Sequence, residues 1–146
     1  MQPKVFRLDT ASPALGAAFR VATASARRRA ALVACESAVR RADLHSALVG
    51  SAIADLRSGN IPASTRPKLE RLAEELDEQY LRLDAKGDVA SKAAALPLFA
   101  KARAASALAF AVSEDPAELH EAIYEALIAV DGSTDLSQLM NDVLKP

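Results

Sequence analysis

TRPKLERLAEELDEQYLRLDAKGDVASKAAALPLFAKARAASALAFAV, residues 65–112, decides the fold. In its first half Leu69, Leu72, Leu76, Tyr80 and Leu83 recur at helical spacing. Glu70, Arg71, Glu74, Asp77 and Glu78 lie mostly off that stripe, the pattern of a helix with one buried face. Gly87 supplies a left-handed stop. In the second half Pro97 either kinks one helix or begins another, because proline lacks an amide donor and crowds the preceding turn. From Pro97 to Val112 the only charges are Lys101 and Arg103, so this segment is expected to be the most buried helix.

Working outward, the same punctuation recurs. Ser12 with Pro13 reads as a cap followed by proline at the first helical position, opening a helix that runs to about Ala42. Asp43 reads as the next cap, ahead of Leu44, Leu48, Val49, Ala52, Ile53 and Leu56 at helical spacing. SGNIPAS at 58–64 ends that helix. Asp115 and Pro116 repeat the cap-then-proline signal for a helix to about Val130, and DGST at 131–134 breaks it. A last helix uses Leu136, Leu139, Met140 and Val143. No segment alternates apolar and polar residues as a half-buried strand would. The expectation is an all-α, single-domain, irregular antiparallel bundle of about six helices over residues 1–146, with 1–11 an irregular N-terminal segment.

Composition agrees. Of 146 residues 51% are hydrophobic, yet only six are Phe or Tyr and none is Trp, so alanine and leucine supply the apolar content and favour helix. A single cysteine rules out an internal disulfide and fits a reducing compartment. ASPALGAAFRVATASA at 11–26 has the small residues of a signal cleavage region, but Asp9 and Arg20 spoil the apolar core such a signal needs. The longest later uncharged stretch, Ala104 to Ser113, spans ten residues, half of the about 20 needed to cross a bilayer. The expectation is a soluble, cytoplasmic protein that engages no membrane.

YLRLDAKGDVASKAAALPLFAKA at 80–102 resembles one tetratricopeptide unit, with a turn at Gly87-Asp88. Pro97 falls inside its supposed second helix and no copy recurs at the 34-residue period, so it reads as a helix hairpin. IPASTRPKLERLAEEL at 61–76 resembles the closing helices of a phage-repressor-type helix-turn-helix domain, but HSALVGSAIADLRSGN before it lacks the tight turn leading into a recognition helix.

Enzymatic and metal chemistry find no support. Residues three before His45 and His120 are Ala42 and Ala117, so the Glu-x-x-His pairs of a di-iron bundle are absent. ELHEAIYEAL at 118–127 lacks the second histidine of a zinc protease. The five glycines form no phosphate loop, and Cys35 shares a stripe with Leu32, Val39 and Ala42, the place of an inert buried thiol. The reading is no enzyme, no catalytic residues, no cofactor and no metal.

SARRRAALVACESAVRRAD at 25–43 carries five arginines. Successive residues lie about 100° apart around a helix, so Arg27, Arg28 and Arg29 fan out, and Glu36 is placed to pair with Arg40. Charge is uneven along the chain: residues 1–58 carry nine Lys/Arg and four Asp/Glu, whereas 113–146 carry one Lys and eight Asp/Glu. Either the first and last helices lie side by side, or they are solvated separately, or they form a charged docking face for another protein. On the helix after Asp115, Leu119, Ala122, Ile123, Ala126 and Val130 form the core stripe, and Glu118, Glu121 and Glu125 an acidic edge. His120, Tyr124 and Ile128 form a separate row, covered either by another helix of the chain or by a partner, with Tyr124 as its anchor. The expected function is a non-catalytic helical protein–protein interaction module of the adaptor, chaperone or immunity type. Its candidate interface residues are His120, Tyr124, Ile128, Glu118, Glu121 and Glu125, and its partner is another protein or a second copy of the chain. The alternative is a nucleic-acid-associated regulator using Arg20, Arg27, Arg28 and Arg41.

Overall fold

The computed structural model describes residues 5–113, 115–131 and 134–146. Among them are eight α-helices and no strand: α1 Arg7–Ala11, α2 Pro13–Val21, α3 Ala24–Ala42, α4 Ala47–Ser58, α5 Thr65–Asp84, α6 Val89–Ala111, α7 Leu119–Ala129 and α8 Thr134–Leu144. A 3₁₀ turn over Pro116–Glu118 leads into α7. The all-α reading holds, and eight helices replace six for two local reasons. Residues 7–11, expected to be irregular, form α1, whose start is held by the Asp9 carboxylate accepting from the Phe6 N–H at 2.8 Å. The long helix expected over 13–42 breaks at Ala22, because the Thr23 hydroxyl accepts from the Ala26 N–H at 3.1 Å and starts α3 afresh.

Asp43 is likewise not a cap for the next helix. It ends α3 in the left-handed conformation, φ 56°, and Ser46 caps α4 by accepting from the Val49 N–H at 3.1 Å. Gly59 and Gly87, both with φ 80°, end their turns as the sequence indicated. Asp88 caps α6, which runs through Pro97 without interruption. The carbonyl of Ala93, which loses its usual donor at Pro97, belongs to the solvent-exposed half of α6, where water can replace the missing bond.

One continuous core runs from Leu8 to Leu144. α5 and α6 form the most extensive pair, α7 packs on α6, α3 and α1, and α3 also meets α8. With neighbours on three sides α7 buries eight of its eleven residues. It, rather than the segment from Pro97 to Val112, is the most buried helix. Leu139, expected in the core stripe of α8, is exposed, while Leu136, Met140 and Leu144 carry that contact. Cys35 is fully buried, and burial first, Glu36 second, pushes its thiol up beyond the ordinary range.

Candidate protein-interaction surface

The row expected on α7 is roofed by the chain itself. His120 is 7% exposed, its ring stacked on Phe6 at 3.8 Å and meeting Phe19 edge-on at 5.8 Å. Arg7 of α1 lays its guanidinium over Tyr124, 4.3 Å from the ring centroid, and pairs with Glu121. Tyr124 and Ile128 are half-buried.

The acidic edge is also spent internally. Glu125 is 3% exposed and accepts from Arg7 Nη2 and Arg103 Nη1, each at 3.1 Å. Glu118 accepts from Arg66 at 2.8 Å and from the Ser113 hydroxyl, and Arg66 first and Ser113 second hold its carboxyl below the usual range. Ser113 Oγ also accepts from Arg66 and from the Asp115 N–H, so its lone pairs are occupied and it is not presented as a nucleophile. Basic early segments thus lie against acidic late ones, the side-by-side arrangement that the charge asymmetry allowed.

The four arginines of the alternative are not brought together. Arg20 pairs with Asp9 and stacks over Phe6, and Arg27 donates to the Phe19 and Arg20 carbonyls at 2.8 and 2.7 Å. Arg28 and Arg41 are exposed. Glu36 pairs with Arg57 of α4 at 2.6 Å, where Arg40 was expected.

A cleft of about 920 Å³ opens between α3, the turn after α4 and the start of α7. Leu32, Leu56, Ile61 and Leu119 line it, with Arg28 and Arg66 among its polar groups. Among the described residues no group of three His, Cys, Asp or Glu side chains is placed to hold a metal.

Besides Val5, Val21 and Leu139, the exposed large apolar side chains among the described residues lie on the α5–α6 hairpin. Three contacts fix the level of one helix against the other: Arg103 to Asp77 at 2.7 Å, Tyr80 against Phe99 with centroids 5.3 Å apart, and Lys92 to Asp84 at 3.5 Å. Arg103 also reaches Glu125, so its side of the hairpin is the one α7 covers near the base. Residues four or seven apart share a helix side, so Leu81 of α5 and Leu96 of α6 lie on that same side further toward the tip. Leu81 is 59% exposed, Leu96 64% and Val89 86%.

No family model, curated protein or solved structure matches the chain.

Within α6 one row, Val89, Ala93, Leu96, Ala100, Ala104, Ala107 and Ala111, keeps helical spacing throughout. Its last three members are buried in the core, while Val89, Ala93 and Leu96 are exposed. α6 is long and apolar enough to cross a membrane by length and composition, but Ala102, Ala104, Ala105 and Ala107 to Ala109 lie in the protein core. Sequence reasoning missed this face by following the apolar run only from Pro97 onward. The available signal was the stretch Val89–Ala100, apolar on every side with one charge, Lys92.

Proposed function

We propose that the chain is a non-catalytic helical module that binds another protein chain, and that it does so through the outer half of the α5–α6 hairpin. One observation carries this reading: Val89 and Leu96 are exposed on an α6 row whose continuation is core, beside the exposed Leu81 of α5. Full burial of one such side chain stabilises by about 1.5–3 kcal/mol, so three left wet form a standing drive for association. A helix apolar on all sides ordinarily has neighbours all round, and the first half of α6 leaves Val89, Ala90, Ala93, Ala94 and Leu96 exposed. The α7 residues His120, Tyr124 and Glu125 then serve as internal packing.

The test is a photo-reactive p-benzoylphenylalanine placed at position 96 of the full chain in cells, with position 41 as an exposed control. The expected result is a discrete cross-linked protein species from position 96 and none from position 41. Equal or absent cross-linking at the two positions would remove the reading.

A further inference from the structure

Resting on that reading, we infer that the occupant of the hairpin face is a cationic amphipathic helix of another protein, its apolar stripe on Leu96 and Leu81 and its basic flank over α5. Residues three, four and seven apart share a helix side, so Glu74, Asp77 and Glu78 stand on the side of α5 that carries Leu81, and Glu70 continues their row toward the base. Between Glu70 and Asp84 the only bases are Arg71 and Arg82, placed about 80–100° around the helix from Leu81. The cations of α6 are spent or turned away. Lys92 pairs with Asp84, and Arg103 with Asp77 and Glu125. Lys101, five residues after Leu96, lies about 140° around α6 from it. Glu74 has no ion pair among the described residues, and Glu78 reaches only Arg82, at 3.9 Å. The face is therefore apolar along α6 and edged by two carboxylates on α5 that the chain leaves without a close cation.

That charge pattern selects the occupant. Glu74 and Glu78 repel the phosphates of nucleic acid and of anionic lipid headgroups, and attract Lys or Arg on a protein surface. The shape of the face selects a helix. Val89, Ala93, Leu96 and Ala100 follow one side of α6, small side chains alternating with large ones, and such a row receives the i, i+3, i+4 and i+7 anchors of an amphipathic helix. A second copy does not supply one, because the arginine-rich α3 keeps its apolar side in the core.

Toward the base the same side opens into a cavity of about 330 Å³ between the two helices. Glu70, Glu74 and Asp77 wall it from α5, and Ser106 and Phe110 from α6. Arg66, the one cation lining it, is held by Glu70 and Glu118. A lysine or arginine of the partner fits there, its aliphatic stem on Phe110 and its charge at Glu74. From Leu96 to Phe110 is about 21 Å along α6, about four turns of the partner's helix.

Fluorescence anisotropy with the full chain tests this. The probe is a labelled peptide of about 14 residues, all Leu and Lys, with its leucines at i, i+3, i+4 and i+7. Its controls are the same peptide with Glu for Lys, and one of the same composition with the leucine spacing scrambled. The lysine peptide is expected to bind at least about tenfold more tightly than either control, and more weakly as salt approaches about 1 M. Glu74→Gln together with Glu78→Gln weakens it about fivefold, and Leu96→Gln weakens it as well, with circular dichroism unchanged because all three side chains are exposed. A lysine peptide no tighter than its glutamate counterpart, or one indifferent to the paired glutamine variant, overturns the inference. So does a full chain that pellets with phosphatidylserine vesicles through Leu96, or a dimer that Leu96→Gln dissociates. If the position-96 cross-linker nevertheless captures a different protein, the interaction reading stands and the cationic helix alone is lost; a blank cross-linker removes both.

Discussion

The row His120, Tyr124, Ile128 on α7 and the row Val89, Ala93, Leu96 on α6 are both apolar surfaces displaced from their helices' main contacts, yet Phe6 and Arg7 lie over His120 and Tyr124 of the first, while Val89, Ala93 and Leu96 of the second are exposed among the described residues. Sequence reasoning left the first open between another helix of the chain and a partner, and named its residues as the interface candidates. What separates them is not composition, since the covered row is the more polar of the two. It is the reach of other helices: α7 stands in the middle of the bundle, whereas the hairpin extends past the elements that cover its base. Function at a helical surface is thus decided by which helices run out of neighbours.

The sharpest way to break this comparison is to remove one leucine from each region. Leu8, fully buried in α1, is part of what ties the cover down. Leu8→Ala is expected to cost about 2–5 kcal/mol, the range for emptying a buried leucine site. Leu96→Ala is expected to change stability by no more than about 0.5 kcal/mol in the monomer, as surface substitutions do. Urea unfolding of both variants at low protein concentration checks this, and a Leu96→Ala loss approaching that of Leu8→Ala would mean that the hairpin face is already packed.

The contrast also explains what was legible. Ser12 and Asp115 announced two helix starts because their side chains act on residues two or three positions away. The hairpin was readable for the same reason, from Leu69, Leu76 and Gly87. The roof over His120 was not, since Phe6 and Arg7 reach α7 across more than a hundred residues and nothing in their neighbourhood records the destination. Glu125 looked like one of three equivalent surface acids. Its burial depends on two arginines from α1 and α6 arriving from opposite sides. Pro97 was ambiguous because its effect turns on whether the carbonyl of Ala93 can find water, a property of the surroundings and not of the local sequence.

Acid should sharpen the comparison by loosening the cover and sparing the hairpin. Arg20 first, and the Phe6 N–H second, hold the Asp9 carboxyl down at about 2, from an ordinary value of 3.8. A depressed carboxylate contributes its stabilisation fully above its unfolded pKa and loses it as pH falls through the folded one. Amide protection in α1 and the Phe6–His120 stacking are therefore expected to decline between about pH 4 and pH 2, by hydrogen exchange and ring-current shifts. Asp9→Asn should lack that step and show weakened α1 protection already at neutral pH. A step of undiminished size in Asp9→Asn would assign the acid response to other carboxylates.

The smallest effect compares two helix glycines. A methyl group at Gly16 in α2 would collide with the Asp9 carboxyl, 2.9 Å from its carbon, and approach Arg20 Nη1 to 3.3 Å, whereas one at Gly50 in α4 meets nothing within 4 Å. Alanine is worth up to about 1 kcal/mol over glycine inside a helix. Gly50→Ala should collect that gain. Gly16→Ala has the same backbone advantage but pushes Asp9 off Arg20, where both bonds are 2.7 Å long, and off the Phe6 N–H. The two contributions oppose each other, so Gly16→Ala should fall below Gly50→Ala in melting temperature and lose α1 protection. If the two variants gain equally and α1 stays protected, the cover over α7 is held by Leu8, Phe6 and the Arg7 contacts, and the ion pair between α1 and α2 is dispensable to it.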